Sequence, residues 1–118
     1  MAKTAKQNLG NWGEKLAEDY LTRNKHIVLE RNWRFRRSEV DLITMDGQTL
    51  VFVEVKVRKN ASFGNPEDFV NTSKANRIKS AAVEYQIIKN YNGFIRFDII
   101  SILGSVENFE LLHLPDSY

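Results

Sequence analysis

Apolar residues recur at helical spacing in two segments of the chain. Residues 8–24 predict an amphipathic helix, because three-to-four-residue spacing places one apolar stripe on one face. The stripe consists of Trp12, Leu16, Tyr20 and Leu21. A second helix is predicted to begin at Thr72 or Ser73, either of which is a good N-cap residue, and to run to about Asn90. Its apolar stripe consists of Ala75, Ile78, Ala82 and Tyr85.

Five other segments have the apolar content or the alternation of β-strands. A strand is predicted over each of 26–35, 39–45, 49–57, 94–103 and 106–114. Asp46-Gly47 is a dipeptide that tight hairpin turns prefer, and residues 58–67 have the composition of a loop. The order α-β-β-β-α-β-β predicts an α/β fold with a central mixed five-stranded sheet flanked by helices.

The third predicted strand carries charge on an otherwise apolar face. In "LVFVEVKVR" (50–58) the valines share one face, and Phe52, Glu54 and Lys56 share the other. In the preceding strand, regular alternation places Glu39, Asp41 and Ile43 together. A two-residue turn at Asp46-Gly47 pairs Glu39 with Glu54, and a four-residue loop pairs Asp41 with Glu54. Both registers put Asp41 on the face of Glu54 and Lys56.

Two carboxylates on a half-buried face predict a site for a divalent cation. They repel each other and lose hydration, and a cation between them relieves both penalties. Oxygen ligands with a lysine nearby suit Mg or Mn. Lys56 would orient the attacking water or stabilise the charge that develops on a phosphate. The alternative is an exposed face on which Glu54 and Lys56 form an ordinary surface ion pair.

Composition limits the class of protein. A chain of 118 residues predicts one domain over residues 1–118. The absence of cysteine and the presence of only two histidines argue against disulfides and a structural zinc site. The N-terminal residues lack the apolar run of a signal peptide, and no run of ~18 apolar residues occurs. We therefore expect a soluble, cytoplasmic protein that does not enter a membrane.

Basic residues are concentrated away from the C-terminus. The net charge is +2, and the last fifteen residues contain three acids and no base. The stretch "ERNWRFRRSE" (30–39) combines four arginines with Trp33 and Phe35, of which Trp33 is expected in the core. Arginine forks suit phosphates, so we predict contacts to the DNA backbone with little sequence specificity. The predicted contact residues are Arg34, Arg36, Arg37, Arg58, Lys59, Lys74 and Arg77, with Lys79 extending the track.

At these residues the sequence resembles a known family. The pattern D-x(n)-E-x-K is the signature of the restriction-endonuclease-like PD-(D/E)xK nucleases. A closer resemblance is to the YraN-like proteins, predicted endonucleases similar to archaeal Holliday-junction resolvases. Ser38 is a departure, since the family usually has glycine there. The matching stretches are Gly10, "GEKLAEDYL" (13–21), "LERNWR" (29–34), "EVDLI" (39–43), "LVFVEVKVR" (50–58), Lys74 with Ile78, Ala81, Ala82 and Tyr85, and "RFDII" (96–100).

The resemblance implies roles for individual residues. Asp41 and Glu54 would bind the metal, with the carbonyl of Val55 as a further ligand. Lys56 would be the catalytic lysine. Glu14 matches a first-helix glutamate that joins the metal site in resolvase-like relatives.

Two other acids lie near these positions in the sequence. Glu39 would be a further ligand or a group supporting the ligands. Asp98 shares a strand face with Arg96, and we expect a structural ion pair there.

The sequence therefore predicts a metal-dependent endodeoxyribonuclease, with branched or junction DNA as one candidate substrate, and the resolvase-like relatives suggest a homodimer. Three alternatives stay open. One is a nuclease fold that binds DNA without cutting it. Another is a protein-interaction module using Trp12, Trp33 or the acidic tail. The last is an RNA substrate.

Overall fold

The computed structural model describes residues 5–59 and 72–118, with side chains from residue 8 in the first range and from residue 73 in the second. The predicted order of helices and strands is confirmed. In chain order the elements are α1 (Ala5–Arg23), β1 (His26–Phe35), β2 (Ser38–Asp46), β3 (Thr49–Arg58), α2 (Thr72–Ile88), β4 (Phe94–Gly104) and β5 (Phe109–Leu114). Most of the loop predicted over 58–67 lies outside the described residues.

The five strands form one mixed sheet in the order β1-β2-β3-β4-β5. Only β3 and β4 are parallel, and the other neighbouring pairs are antiparallel. The connection between β3 and β4 contains α2, as expected because parallel neighbours need a crossover. No helix among the described residues is long and apolar enough to cross a membrane.

Helix α1 packs on one face of the sheet through its predicted apolar stripe. Ala17 and Leu21 are fully buried and share a hydrophobic cluster with the valines of β3. Gly13 lies so close to the sheet that a Cβ at this position would overlap the side chain of Val57. The neighbouring residue, Glu14, is therefore held close to β3.

Helix α2 packs on the opposite face. Ile78, Ala82 and Tyr85 are buried in a cluster with Phe52 of β3. The half-buried ring of Trp33 packs against this cluster and meets the ring of Tyr85 edge to face at 5.2 Å, so Trp33 lies at the margin of the core in which the sequence predicted it.

The hairpin between β2 and β3 differs from one of its two predicted registers. Asp46 pairs with Thr49, so the two-residue loop is Gly47-Gln48 and not Asp46-Gly47. Gly47 has a φ of 60°, which a turn with glycine in its first central position favours. Continued by one residue past its last pair, Leu42 with Val53, this register sets Asp41 at the level of Glu54, as the longer-loop alternative predicts.

Several predicted ends shift by a few residues. Helix α1 begins three residues before the predicted start, and α2 ends two residues before Asn90. Strand β5 begins at Phe109 and not at 106, because Ser105 and Asn108 exchange backbone hydrogen bonds of 2.9 and 3.1 Å in a tight turn. Gly104 precedes this turn with a φ of 124°.

A buried polar network links β4 to the C-terminal residues. Arg96 donates to both carboxylate oxygens of the fully buried Asp98, at 2.8 and 2.9 Å, which confirms the expected structural pair. His113 Nε2 lies 2.7 Å from Asp98 Oδ2, and the backbone N–H of Asp116 donates to Oδ1 at 3.0 Å. Burial opposes ionisation of Asp98, but these donors outweigh it and lower its pKa to about 2.

Candidate metal centre

The sheet opens into a fork between β2 and β3. Their register ends at the pair Leu42 and Val53. Beyond this pair, β2 continues along β1 and β3 continues along β4. The backbone N–H of Val55 donates to Asp41 Oδ2 at 2.8 Å across the opening. Because the N–H and C=O of one strand residue point to the same side, the Val55 carbonyl is also directed into the fork.

In β1, beside this fork, the alternation of side chains between the two faces of the sheet shifts by one residue. Arg31 pairs with Leu42 and binds Glu18 of α1, whereas Trp33 packs against the α2 face. Regular alternation would put residues 31 and 33 on one face. Between them Asn32 has a φ of 52°, a left-handed conformation that asparagine tolerates better than most residues. Asn32 lies between the register pairs Arg31–Leu42 and Trp33–Val40, and therefore at the level of Asp41.

The slip affects β2 as well and overturns a predicted arrangement. Val40 and Ile43 belong to the α2-facing cluster, while Leu42 belongs to the α1-facing cluster. The prediction that Glu39, Asp41 and Ile43 share one face is therefore wrong. The regular two-residue period assumed for β2 is interrupted at Asp41.

The interruption brings three carboxylates together in the fork. One carboxylate oxygen from each of Glu14, Glu39 and Asp41 lies within 4.8 Å of the other two. With its amide nitrogen facing the carboxylates, Asn32 donates to Glu14 at 3.2 Å and to Glu39 at 3.0 Å. Glu39 was expected as a ligand or supporting group, and its place in this cluster is compatible with either role.

Two carboxylates of this cluster, those of Asp41 and Glu14, are costly to ionise. Burial raises the pKa of Asp41, and the charge of Glu54 raises it further, while the Val55 hydrogen bond acts in the opposite direction. Burial also raises the pKa of Glu14. A hard divalent cation would offset both penalties, and the donor set, oxygen only, suits Mg or Mn.

Glu54 is directed toward two lysines. Its side chain is 7 % exposed, and Oε1 lies 3.1 Å from Lys56 Nζ and 2.5 Å from Lys74 Nζ. Burial lowers the pKa of Lys56, and Glu54 partly offsets this. Lys74 was predicted to contact DNA, whereas the structure places its ammonium on Glu54. Glu54 therefore connects β3 to α2 at the edge of the carboxylate cluster.

Two cavities meet at the fork. Asp41 and Glu54 line both of them. One cavity, of 240 Å³, extends toward Glu14 and Val55 on the α1 side. The other, of 200 Å³, extends toward Glu39 and Lys74. A cation and a substrate group could therefore approach Asp41 from opposite sides.

The residues predicted to contact DNA differ in whether they form an ion pair and in whether they line the cavity between the β1–β2 turn and α2. Arg34 Nη2 lies 2.8 Å from Glu39 Oε2, although its side chain is 76 % exposed. Arg36 and Arg37 are exposed in the turn between β1 and β2 and line a cavity with Arg77 of α2. The remaining residues do not line this cavity: Arg58 and Lys59 at the end of β3, and Lys79 of α2.

Sequence reasoning missed Asn32 and the polar residues beside Arg77. The sequence around Asn32 alternates like an ordinary strand, so it does not indicate that this asparagine contacts Glu14 and Glu39. The helical spacing of Ser73, Asn76, Arg77 and Ser80 was a detectable signal, because residues so spaced share one helix face.

Comparison with known proteins gives the chain a family. The model of an uncharacterised protein family, UPF0102, matches residues 13–102. The chain belongs to the UPF0102 family. This segment contains the whole candidate site, from Glu14 in α1 to Lys74 in α2, and ends before β5.

Three UPF0102 relatives align over nearly their full length. A protein from Flavobacterium psychrophilum is 37% identical over 94% of this chain and 93% of its own. One from Geobacter metallireducens is 38% identical over 95% of this chain and 93% of its own. One from Rhodococcus opacus is 40% identical over 93% of this chain and 95% of its own. Family membership is thus shown, and these names state no activity.

Proposed function

We propose that this UPF0102 protein is a metal-dependent endonuclease that hydrolyses DNA phosphodiesters. The observation that carries the proposal is the convergence of Glu14, Glu39 and Asp41 at a fork in the sheet, beside two half-buried lysines that contact Glu54. Carboxylates in a cleft with adjacent ammonium groups suit hydrolysis of an anionic ester.

The metal would be held chiefly by Asp41, with Glu14, Glu39 and the carbonyl of Val55 as further oxygen ligands. Glu54 lines the same cavities and is a further candidate ligand. A bound Mg or Mn would lower the pKa of water and neutralise charge on the phosphate. Asn32 would hold the carboxylates of Glu14 and Glu39 in position through its amide.

Lys56 would act on the reacting groups. Its side chain is 19 % exposed, and Glu54 fixes its ammonium at 3.1 Å. An ammonium held in this way would orient the attacking water or stabilise the negative charge that develops on the phosphate. Lys74 contacts the same oxygen of Glu54, so Glu54 would position both lysines.

DNA is the proposed substrate because the exposed arginines at the β1–β2 turn and on α2 lie beside the fork. The resemblance to junction resolvases adds branched DNA and a homodimer to the proposal. Contacts to the sugar–phosphate backbone of DNA depend on its charge and shape, so little sequence preference is expected.

The alternative of a protein-interaction module loses support from the tryptophans. Trp33 packs on Tyr85, and Trp12 packs on Phe109 with ring centroids 5.5 Å apart. Both rings are thus engaged within the fold, and neither forms a free aromatic anchor.

The test is incubation of the purified protein with linear, single-stranded, flapped and four-way DNA, and with RNA, in Mg or Mn. We expect cleavage of DNA by the wild type, and none by Asp41→Asn. Cleavage that persists unchanged in Asp41→Asn would contradict the proposed site. DNA binding without cleavage of any substrate would favour a binding function.

A further inference from the structure

A cavity of 690 Å³ separates the β1–β2 turn from α2. The strand side of this cavity is formed by residues 35–38. Its helix side is formed by Ser73, Asn76, Arg77 and Ser80, which share the outer face of α2. All four helix residues are exposed, whereas Ile78 and Tyr85 on the other face of α2 are buried. We call this space the turn cavity.

The lining of the turn cavity has the chemistry of an anion site. Three guanidinium groups, three hydroxyls and one amide line it, and none of its described lining residues carries a carboxylate. Arg77 Nη1 donates to Ser73 Oγ at 3.1 Å, and the guanidinium carbon of Arg36 lies 5.3 Å from the centroid of the Phe35 ring. Both contacts leave several N–H groups of each arginine for a ligand.

The arginines of this region differ in what they already bind. Arg31 is paired with Glu18, and Arg34 is paired with Glu39. Within the described part of the chain, no ion pair engages Arg36, Arg37 or Arg77. The arginines that face the turn cavity are therefore those whose charge is not neutralised by a described carboxylate.

The turn cavity is continuous with the fork. Arg37, Ser38 and Arg77 line it and also line the 200 Å³ cavity that contains Asp41 and Glu54. A chain-like polyanion could therefore place one anionic group at the fork and a neighbouring one in the turn cavity.

We infer that the turn cavity binds a backbone phosphate of a nucleic acid strand, next to the phosphodiester at the fork. That the ligand is a nucleic acid rests on the proposed function. Arg37 and Arg77 contact the phosphate from opposite walls, because arginine forks donate paired hydrogen bonds to phosphate oxygens. The hydroxyls of Ser38 and Ser73 add neutral donors. A substrate must then extend beyond the scissile bond on one side.

The experiment measures binding of a fluorescent single-stranded DNA oligomer in EDTA, so that no cleavage is needed. The proteins are wild type, Arg37→Ala/Arg77→Ala and Arg23→Ala, an exposed arginine outside the cavity. The salt slope is the fall in the logarithm of the binding constant per unit logarithm of salt concentration, and each phosphate contact on a single strand contributes about 0.7 to it. The double variant should therefore reduce the size of this slope by about 1 to 2. It should also weaken binding about tenfold or more. Arg23→Ala should match the wild type.

Two further arms identify the ligand. A neutral methylphosphonate oligomer should bind wild type and the double alanine variant equally weakly. The conservative double variant Arg37→Lys/Arg77→Lys should keep the salt slope and lose only part of the affinity, because lysine retains the charge but lacks the paired N–H donors of a guanidinium group. If the double alanine variant does not fold, the loss of DNA affinity in the double lysine variant still tests the two arginines.

The inference is overturned if the double alanine variant binds DNA with wild-type affinity and slope. It is also overturned if an acidic peptide depends on these arginines more strongly than DNA does. Since the assay contains no metal, an inactive wild type would refute the proposed hydrolysis and leave this binding test intact.

Discussion

Val55 donates its backbone N–H to the carboxylate of Asp41 at 2.8 Å, beyond the last paired residues of β2 and β3. The side chain of Asp41 thereby bridges the two strands where their ladder has ended. The same carboxylate lies within 4.8 Å of oxygens of Glu14 and Glu39. Asp41 therefore connects the backbone of the fork to the carboxylate cluster.

The first prediction concerns metal binding at Asp41. Asp41→Asn should weaken binding of Mn severely, because it removes one charged ligand from a site with few of them. The asparagine oxygen can still accept from Val55, so the metal-free variant should remain folded. Isothermal titration with Mn measures the affinity, and Asp19→Asn, at a side chain of α1 that is 49 % exposed, is the control. Equal affinity in Asp41→Asn and wild type would refute the ligand assignment.

The second prediction separates the backbone and amide roles of Asn32. Asn32→Ala should destabilise the protein by about 1 kcal/mol, because alanine resists a left-handed conformation. Asn32→Gly should avoid this strain. Both variants lose the amide that bridges Glu14 and Glu39, so Mn affinity should fall about 10- to 100-fold in each.

The control for Asn32 is Asn90→Ala, since Asn90 also has a φ of 52°. It should show a similar loss of thermal stability and wild-type Mn affinity. If Asn32→Gly also kept wild-type Mn affinity, the amide would have no part in positioning the carboxylates.

The third prediction is a pH dependence that arises from Asp98. Its pKa is lowered to about 2 in the folded protein, against about 3.9 in the unfolded chain. The ionised carboxylate thus contributes stability above about pH 4, and this contribution is lost as the pH falls to about 2. The free energy of unfolding should fall by roughly 2 kcal/mol across that interval.

Asp98→Asn should remove this fall and cost roughly 3 kcal/mol at neutral pH, because Arg96 would lose its buried partner. Urea unfolding of both proteins between pH 7 and pH 2 provides the comparison. Burial lowers the pKa of His26, so a separate loss below about pH 6.5 should occur in both proteins. Parallel curves below pH 4 would show that Asp98 contributes nothing to the acid response.

Much of the fold could be predicted because local patterns determine it. The bounds predicted for β1 match His26–Phe35, and the predicted valine face of β3 packs against α1. Alternation and helical spacing act within one element, so they can be read without knowing its neighbours. The hairpin between β2 and β3 was predicted less fully, because the sequence left two registers open and the observed one is that of the longer-loop alternative.

The site was less predictable, because it depends on an irregularity and on contacts between elements. The left-handed conformation of Asn32 interrupts an alternation that the sequence itself displays as regular. That interruption moves Glu39 toward Glu14, which no periodic pattern indicates. Likewise, the pairing of Lys74 with Glu54 joins residues 20 positions apart on separate elements.

The catalytic role of Lys56 and the proposed chemistry of the fork are tested together by single-turnover cleavage. The measurement compares wild type and Lys56→Ala on the best DNA substrate at saturating Mn, with thermal melts and DNA affinity of both proteins as controls. We expect wild-type cleavage and a loss of ~100-fold or more in Lys56→Ala, with DNA and metal still bound. Equal rates in the two proteins, or no wild-type cleavage of any DNA tested, would contradict the account.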